Sequence, residues 1–112
     1  MAKPEIEYLD TESIPWTPVE GAPGLYEKIL SFDPDTGNVT RLVKATPREG
    51  ISGEVSHPFC EEGFLLKGSF TNTETGQVYG PGAYSCRPAG MKHGKSKADE
   101  EIISIEFRYY KL

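Results

Sequence analysis

Glycine and proline punctuate this chain so often that no helix of ordinary length fits between them. Twelve Gly and nine Pro are spread over 112 residues. Each Pro removes a backbone donor and each Gly weakens a regular element. No window sustains apolar residues at i, i+3 and i+4. Short runs rich in β-branched and aromatic residues lie between the breaks instead. LYEKILSF and NVTRLVKA flank DPDTG, where Gly37 can take a positive φ, and read as a hairpin. SFTN and QVYG flank TETG and read as a second one. GEVSH, EGFLLKG and GAYSCR are further strands, and PAGMKHG is a turn. EIISIEFRYY is a long last strand, with Ile103, Ile105, Phe107 and Tyr109 on one face and Ser104, Glu106 and Arg108 on the other. About eight or nine strands, with turns every 8–12 residues or so, predict an all-β sandwich or barrel.

Residues 1–24 have a different texture. Pro4, Pro15, Pro18 and Pro23 surround Trp16. This segment reads as an extended arm laid over the barrel and anchored by burial of the Trp16 ring. Residues 25–112 are then the single domain, a size that buries a core unaided.

The net charge of −5 argues against nucleic acid as a partner, since phosphate-backbone binders carry a basic face. No apolar run approaches the ~18 residues that span a bilayer, and MAKPEIEYLD lacks the apolar stretch of a signal peptide. The expectation is a cytoplasmic protein without membrane contact. The two cysteines, Cys60 and Cys86, do not make a secreted disulfide framework and are expected as free thiols.

His57 and His93 are the only histidines. Glu61 follows His57 by four residues, across a turn through Pro58 and Phe59. If one strand ends at His57 and the next begins at Glu61, both side chains can reach one interior. Two imidazoles and one carboxylate match a facial ligand set that leaves coordination positions open. The absence of a thiolate cluster argues against a closed structural zinc site. Fe(II) is the first choice from this ligand set, with Zn, Ni and Mn as alternatives.

HPFCEEGFLLKG resembles the first cupin motif, G-x5-H-x-H-x3-4-E-x6-G, with His57 at the second histidine, Glu61 at the glutamate and Gly68 at the closing glycine. GAYSCRPAGMKH resembles the second motif, G-x5-P-x-G-x2-H-x3-N, with Gly82, Pro88, Gly90 and His93 at their slots. The match covers roughly residues 25–110 and looks most like small single-domain cupins of the ChrR-like and acetylacetone-dioxygenase-like kind. Three positions depart from the pattern: Val55 stands at the first histidine, Glu49 at the leading glycine and Lys97 at the closing asparagine.

The resemblance implies a cupin double-stranded β-helix, a jelly-roll-like barrel, with a divalent metal held by His57, Glu61 and His93. It implies a homodimer as well, with the arm available to cross to the second copy. Cupin-like alternation would turn Gly63 and Leu65 inward after Glu61, beside Val55, making a small dry cavity. Val55 is either a wall against which substrate packs or the mark of a weakened site, and the three intact ligands favour the wall. Tyr84 and Cys86 share parity on the strand leading to His93 and would line the same cavity, though core packing accounts for them equally well. Glu62 is expected as a solvated charge on the opposite face, Cys60 as a turn residue, and Glu106 with Arg108 as a surface pair. Arg87, Lys92, Lys95 and Lys97 form a basic rim near His93 or a solvated loop. A metal-free β-barrel that binds a sugar or other polar ligand is the plainest reading, and two sharper functions follow from different classes. One is a metal-dependent dioxygenase acting on a small dicarbonyl or hydroxy-ketone. The other is a non-catalytic sensor that binds metal or a small molecule.

Overall fold

The computed structural model describes residues 2–51 and 56–111, and of residues 49–51 only the backbone. A 3-10 turn, Thr11–Ser13, precedes ten strands: β1 (Thr17–Pro18), β2 (Leu25–Phe32), β3 (Val39–Ala45), β4 (Arg48–Ile51), β5 (Cys60–Lys67), β6 (Phe70–Asn72), β7 (Val78–Tyr79), β8 (Tyr84–Arg87), β9 (Ser96–Ala98) and β10 (Ile102–Tyr109). They form two antiparallel sheets, one in the order β1-β2-β3-β10-β5-β8 and one in the order β4-β9-β6-β7. The chain is nearly all β, as its punctuation predicts. Among the described residues no helix is long and apolar enough to cross a membrane.

Both expected hairpins form. In the β2–β3 turn, Gly37 takes φ +83° and donates its N–H to the Asp33 carbonyl at 2.8 Å. The Asn38 side chain then accepts from the backbone N–H of Tyr110 at 2.6 Å, tying this turn to the end of β10. In the β6–β7 turn, Asn72 Oδ1 accepts from Glu74 and Thr75. The strands β4 and β9 were not legible in the sequence. They are short and polar, and pairing with neighbours (Arg48 with Ala98, Thr71 with Lys97) makes them strands. The expected GEVSH strand falls largely outside the described residues, as does Val55.

Gly68 closes the turn between β5 and β6 at φ +85°. A Cβ there would run into the Glu101 carbonyl oxygen and stand 2.9 Å from the Ile102 side chain. Only glycine lets the chain reverse this close to the start of β10.

The registers fix which residues face the space between the sheets. Arg108, Glu106 and Ser104 on β10 stand opposite Glu61, Gly63 and Leu65 on β5. Glu106 and Ser104 also stand opposite Arg41 and Val43 on β3. Val43, Ala45 and Leu65 are buried on this face. So are Arg41 and Glu61, at 6% and 4% exposure. The expected dry cavity is therefore corrected to an interior that mixes apolar and charged side chains. Glu106 and Arg108, expected as a surface pair, point inward. Ile105 and Phe107 share the outer face with Phe64 and Glu62.

The arm runs over the outer face of β2 and β3. Thr17 and Pro18 pair with Glu27 and Tyr26. Lys3 Nζ donates to Thr40 Oγ1 at 2.7 Å, and Lys28 Nζ to the Thr11 carbonyl at 2.8 Å. Trp16 is only half-buried. The ammonium groups of Lys28 and Lys44 lie 4.7 and 4.9 Å from its ring centroid, so cation–π contact holds it where ring burial was expected.

Candidate metal centre

His57 precedes Pro58, which biases it to an extended backbone, and the chain enters β5 three residues later. Glu61 is the second residue of β5, and the pleat turns it inward with Gly63 and Leu65. His93 comes from the segment between β8 and β9. The two motifs are joined by the backbone: Gly90, at φ +85°, donates its N–H to the His57 carbonyl at 2.9 Å.

These three residues converge. The candidate ligand atoms of His57, Glu61 and His93 all lie within 4.8 Å of one another. The two imidazoles meet edge to face, with centroids 4.4 Å apart and planes at 81°. His57 stacks on Phe59 at 4.4 Å with planes 8° apart. Phe59 is buried, and the Arg108 guanidinium lies 4.6 Å from the centroid of its ring. Arg108 Nε in turn donates to Glu61 Oε2 at 2.7 Å. The centre is thus braced from two sides, by a ring beneath His57 and a cation beside Glu61.

Protonation also suits a metal. Burial pushes both imidazoles below the ordinary histidine value of 6.5. For His57, Glu61 works against that shift and Arg108, Arg87 and Arg41 reinforce it. For His93, Arg87 and His57 reinforce it. The neutral imidazole is the form that ligates. His93 Nε2 is buried without a hydrogen-bond partner, an orphan of the kind that a cation would satisfy. The donor set fits a divalent cation.

A ladder of charge continues from the centre across the inner face. Arg41 pairs with Glu27 through Nη1, and reaches Glu106 Oε1 through Nε at 3.0 Å and Nη2 at 2.9 Å. Arg108 Nη2 stands 4.0 Å from the same Glu106 oxygen. Burial, then repulsion from Glu61, raises the Glu106 carboxyl above its usual range against the pull of both arginines. Burial works to lower the Arg41 pKa, but Glu106 and Glu27 outweigh it and the net shift is upward.

Tyr84 and Cys86 do not line this interior. They stand opposite Phe64 and Glu62, on the outer face, and are exposed. The inward residues of β8 are Ser85 and Arg87, opposite Gly63 and Glu61. The parity of the strand was read one residue out, which sends every side chain to the other face. The Tyr84 hydroxyl donates to Glu62, and that bond, then burial, raises its pKa. Tyr84 belongs to a shallow outer groove of about 430 Å³ that Phe64, Ile105 and Phe107 also line. Cys60 and Cys86 are free thiols. Lys92, Lys95 and Lys97 are exposed. Arg41 and Arg108 went unread as site residues, because only the strand register brings them to this face; Phe59 went unread because its place in the turn says nothing of its stacking on His57.

A family model described as ChrR Cupin-like domain matches residues 5–110. No curated protein matches the chain in sequence. Among solved structures, KdgF from Halomonas sp. superposes with a TM-score of 0.73 at 19% identity, over 96% of this chain and 96% of that one. An acetylacetone dioxygenase from Acinetobacter johnsonii gives 0.72 at 19% identity, over 95% and 75%. A chain of the Rhodobacter sphaeroides complex of SigE with the anti-sigma ChrR gives 0.62 at 19% identity, over 88% and 51%. At these identities the likeness speaks for the fold. The fold, the two interlocked motifs and the family match over nearly the whole chain agree, and the chain belongs to the ChrR cupin-like family.

Proposed function

We propose that this protein binds one divalent cation through His57, Glu61 and His93 and acts there on a small oxygen-rich molecule, a 1,3-dicarbonyl or a hydroxy-ketone. The observation that carries the reading is the convergence of the three ligand atoms within 4.8 Å. A bound divalent cation supplies Lewis acidity to an enolisable substrate and, as Fe(II), redox chemistry with dioxygen. The protein's own part is positional. Phe59 fixes the plane of His57 and Arg108 fixes one oxygen of Glu61, leaving the other oxygen for the cation. Burial keeps both imidazoles neutral. The fold-level likeness to an acetylacetone dioxygenase supports the oxygenase version by analogy.

The test has two stages. Elemental analysis of protein purified without added metal, repeated on Glu61→Ala, should find one metal per chain and then its loss. Fe(II)-loaded protein prepared without oxygen should then consume oxygen with at least one member of a dicarbonyl panel. Full loading with no uptake across the panel removes the oxygenase.

One observation favours a second reading. The likeness to a chain of the SigE complex with anti-sigma ChrR fits a sensor that binds metal or a small molecule and reports to a protein partner. A stable regulatory protein copurifying with the chain, together with no turnover, would decide for it.

A further inference from the structure

The inner face of the six-stranded sheet carries three arginines, and two of them are engaged. Arg41 is bound by Glu27 and Glu106, and Arg108 by Glu61. Arg87 is different. It stands directly across from Glu61 in the β5–β8 register and is half-buried. Among the described residues, no carboxylate lies within ion-pair distance of it. Yet it sits close enough to both imidazoles to act on their charge. A half-buried guanidinium beside a candidate metal centre, with no acid among the described residues to answer it, is a receptor for an anion.

The charge balance points the same way. Among the described residues, the charged ones on this face are Glu27, Glu61 and Glu106 against Arg41, Arg87 and Arg108. They cancel, with both histidines neutral. A divalent cation would leave this face with two uncompensated positive charges in a region of reduced dielectric, where such an excess draws anions strongly. A neutral diketone supplies at most one negative charge, as its enolate. A ligand that also bears a carboxylate supplies both.

We infer that the molecule this centre receives is an oxo acid: its carboxylate is clasped by Arg87, and its carbonyl oxygens turn toward His57, Glu61 and His93. This deepens the proposed function and rests on it. A planar carboxylate can accept two parallel hydrogen bonds from the guanidinium fork, which a ketone cannot. Selection then comes from the acid group, and reactivity from the oxygen arrangement beside it.

The test compares 4,6-dioxoheptanoate with its methyl ester, which keeps both ketone oxygens and loses the charge. Calorimetric titration of Zn(II)-loaded protein should show the acid binding at least tenfold tighter than the ester. Arg87→Gln should bring the acid down to the ester's level, and Arg87→Lys should restore part of the difference. Zinc content and thermal melting, measured on every sample, confirm that the variants are loaded and folded. Equal affinity of native protein for acid and ester, binding of neither, or a preference that survives in loaded Arg87→Gln overturns the inference. Failure to take up zinc sinks the metal reading instead. In that event the same pair is titrated against metal-free protein, where loss of the acid preference in Arg87→Gln still decides the role of Arg87.

Discussion

Arg108 and Glu61 face each other on neighbouring strands, and the arginine Nε donates to the glutamate Oε2 at 2.7 Å. The candidate ligand is therefore held by a cation on the strand next to it. Glu61→Gln keeps the shape and removes the charge that answers both Arg108 and a metal. It should abolish metal uptake and cost about 1–2 kcal/mol of stability, less than a fully buried pair because Arg108 is 23% exposed. Adding Arg108→Gln should recover part of that stability without restoring the metal. Urea unfolding and metal content of the three variants check this, and metal retained by Glu61→Gln would contradict it.

The two histidines should separate in metal-free protein. His93 Nε2 has no partner to lose, whereas His57 stacks on Phe59. His57→Ala should be the more destabilising by roughly 0.5–1.5 kcal/mol, the worth of a ring–ring contact. Both variants should fail to take up metal. Paired urea midpoints and elemental analysis give the comparison.

Acid should weaken the metal-free protein before it weakens an ordinary domain. Burial holds His57 and His93 below 6.5 in the folded state. Just below 6.5 the unfolded chain therefore binds more protons than the folded one, and stability falls as pH drops from there through the two lower values. Glu106 runs the other way: its raised carboxyl stabilises below the usual 4.5 and loses that contribution as pH rises through its folded value. Urea midpoints between about pH 7 and about pH 5 should fall, and the slope should flatten in His57→Ala/His93→Ala. An unchanged slope in that double variant would count against the assignment.

Arg41 is the middle of the inner charge ladder, with only 7% of its side chain exposed. Arg41→Met leaves Glu27 and Glu106 facing each other without a counter-charge and should cost about 3–5 kcal/mol. The deficit should shrink as pH falls, because Glu106 takes its proton early. Stability curves of native and variant protein that stay parallel with pH would refute this account.

Gly68 and Gly76 both take positive φ, at +85° and +77°. A side chain at Gly76 meets nothing within 4 Å, while one at Gly68 strikes the Glu101 carbonyl. Gly76→Ala should cost about 1 kcal/mol, the backbone penalty alone. Gly68→Ala should cost clearly more and disturb the start of β10. Thermal melts of the two variants distinguish them.

The parts legible in the sequence were those written in local chemistry. DPDTG and TETG specify their turns without help, and both hairpins follow. His57, Glu61 and His93 stand out because histidine is so scarce here and the spacing is unusual. The inner face was harder. Glu106 and Arg108 alternate with apolar residues, which by itself says surface, and the larger apolar side chains of β10 turn out to sit on the outer face. Nothing local tells which face of a strand is the inner one when that face is charged. Only the pairing of β10 with β5 and β3 decides it, and the paired residues stand 36 to 69 positions apart in the chain. The same ambiguity put Tyr84 and Cys86 inside in place of Ser85 and Arg87.

The position of β10 has a consequence for how the protein is made. It lies between β3 and β5, in the middle of its sheet, and carries Glu106 and Arg108. During synthesis the strands before it emerge first, with Arg41 still lacking Glu106 and Glu61 still lacking Arg108. The sheet can close only after residues 102–109 have cleared the ribosome, so the nascent chain must tolerate open strand edges until then.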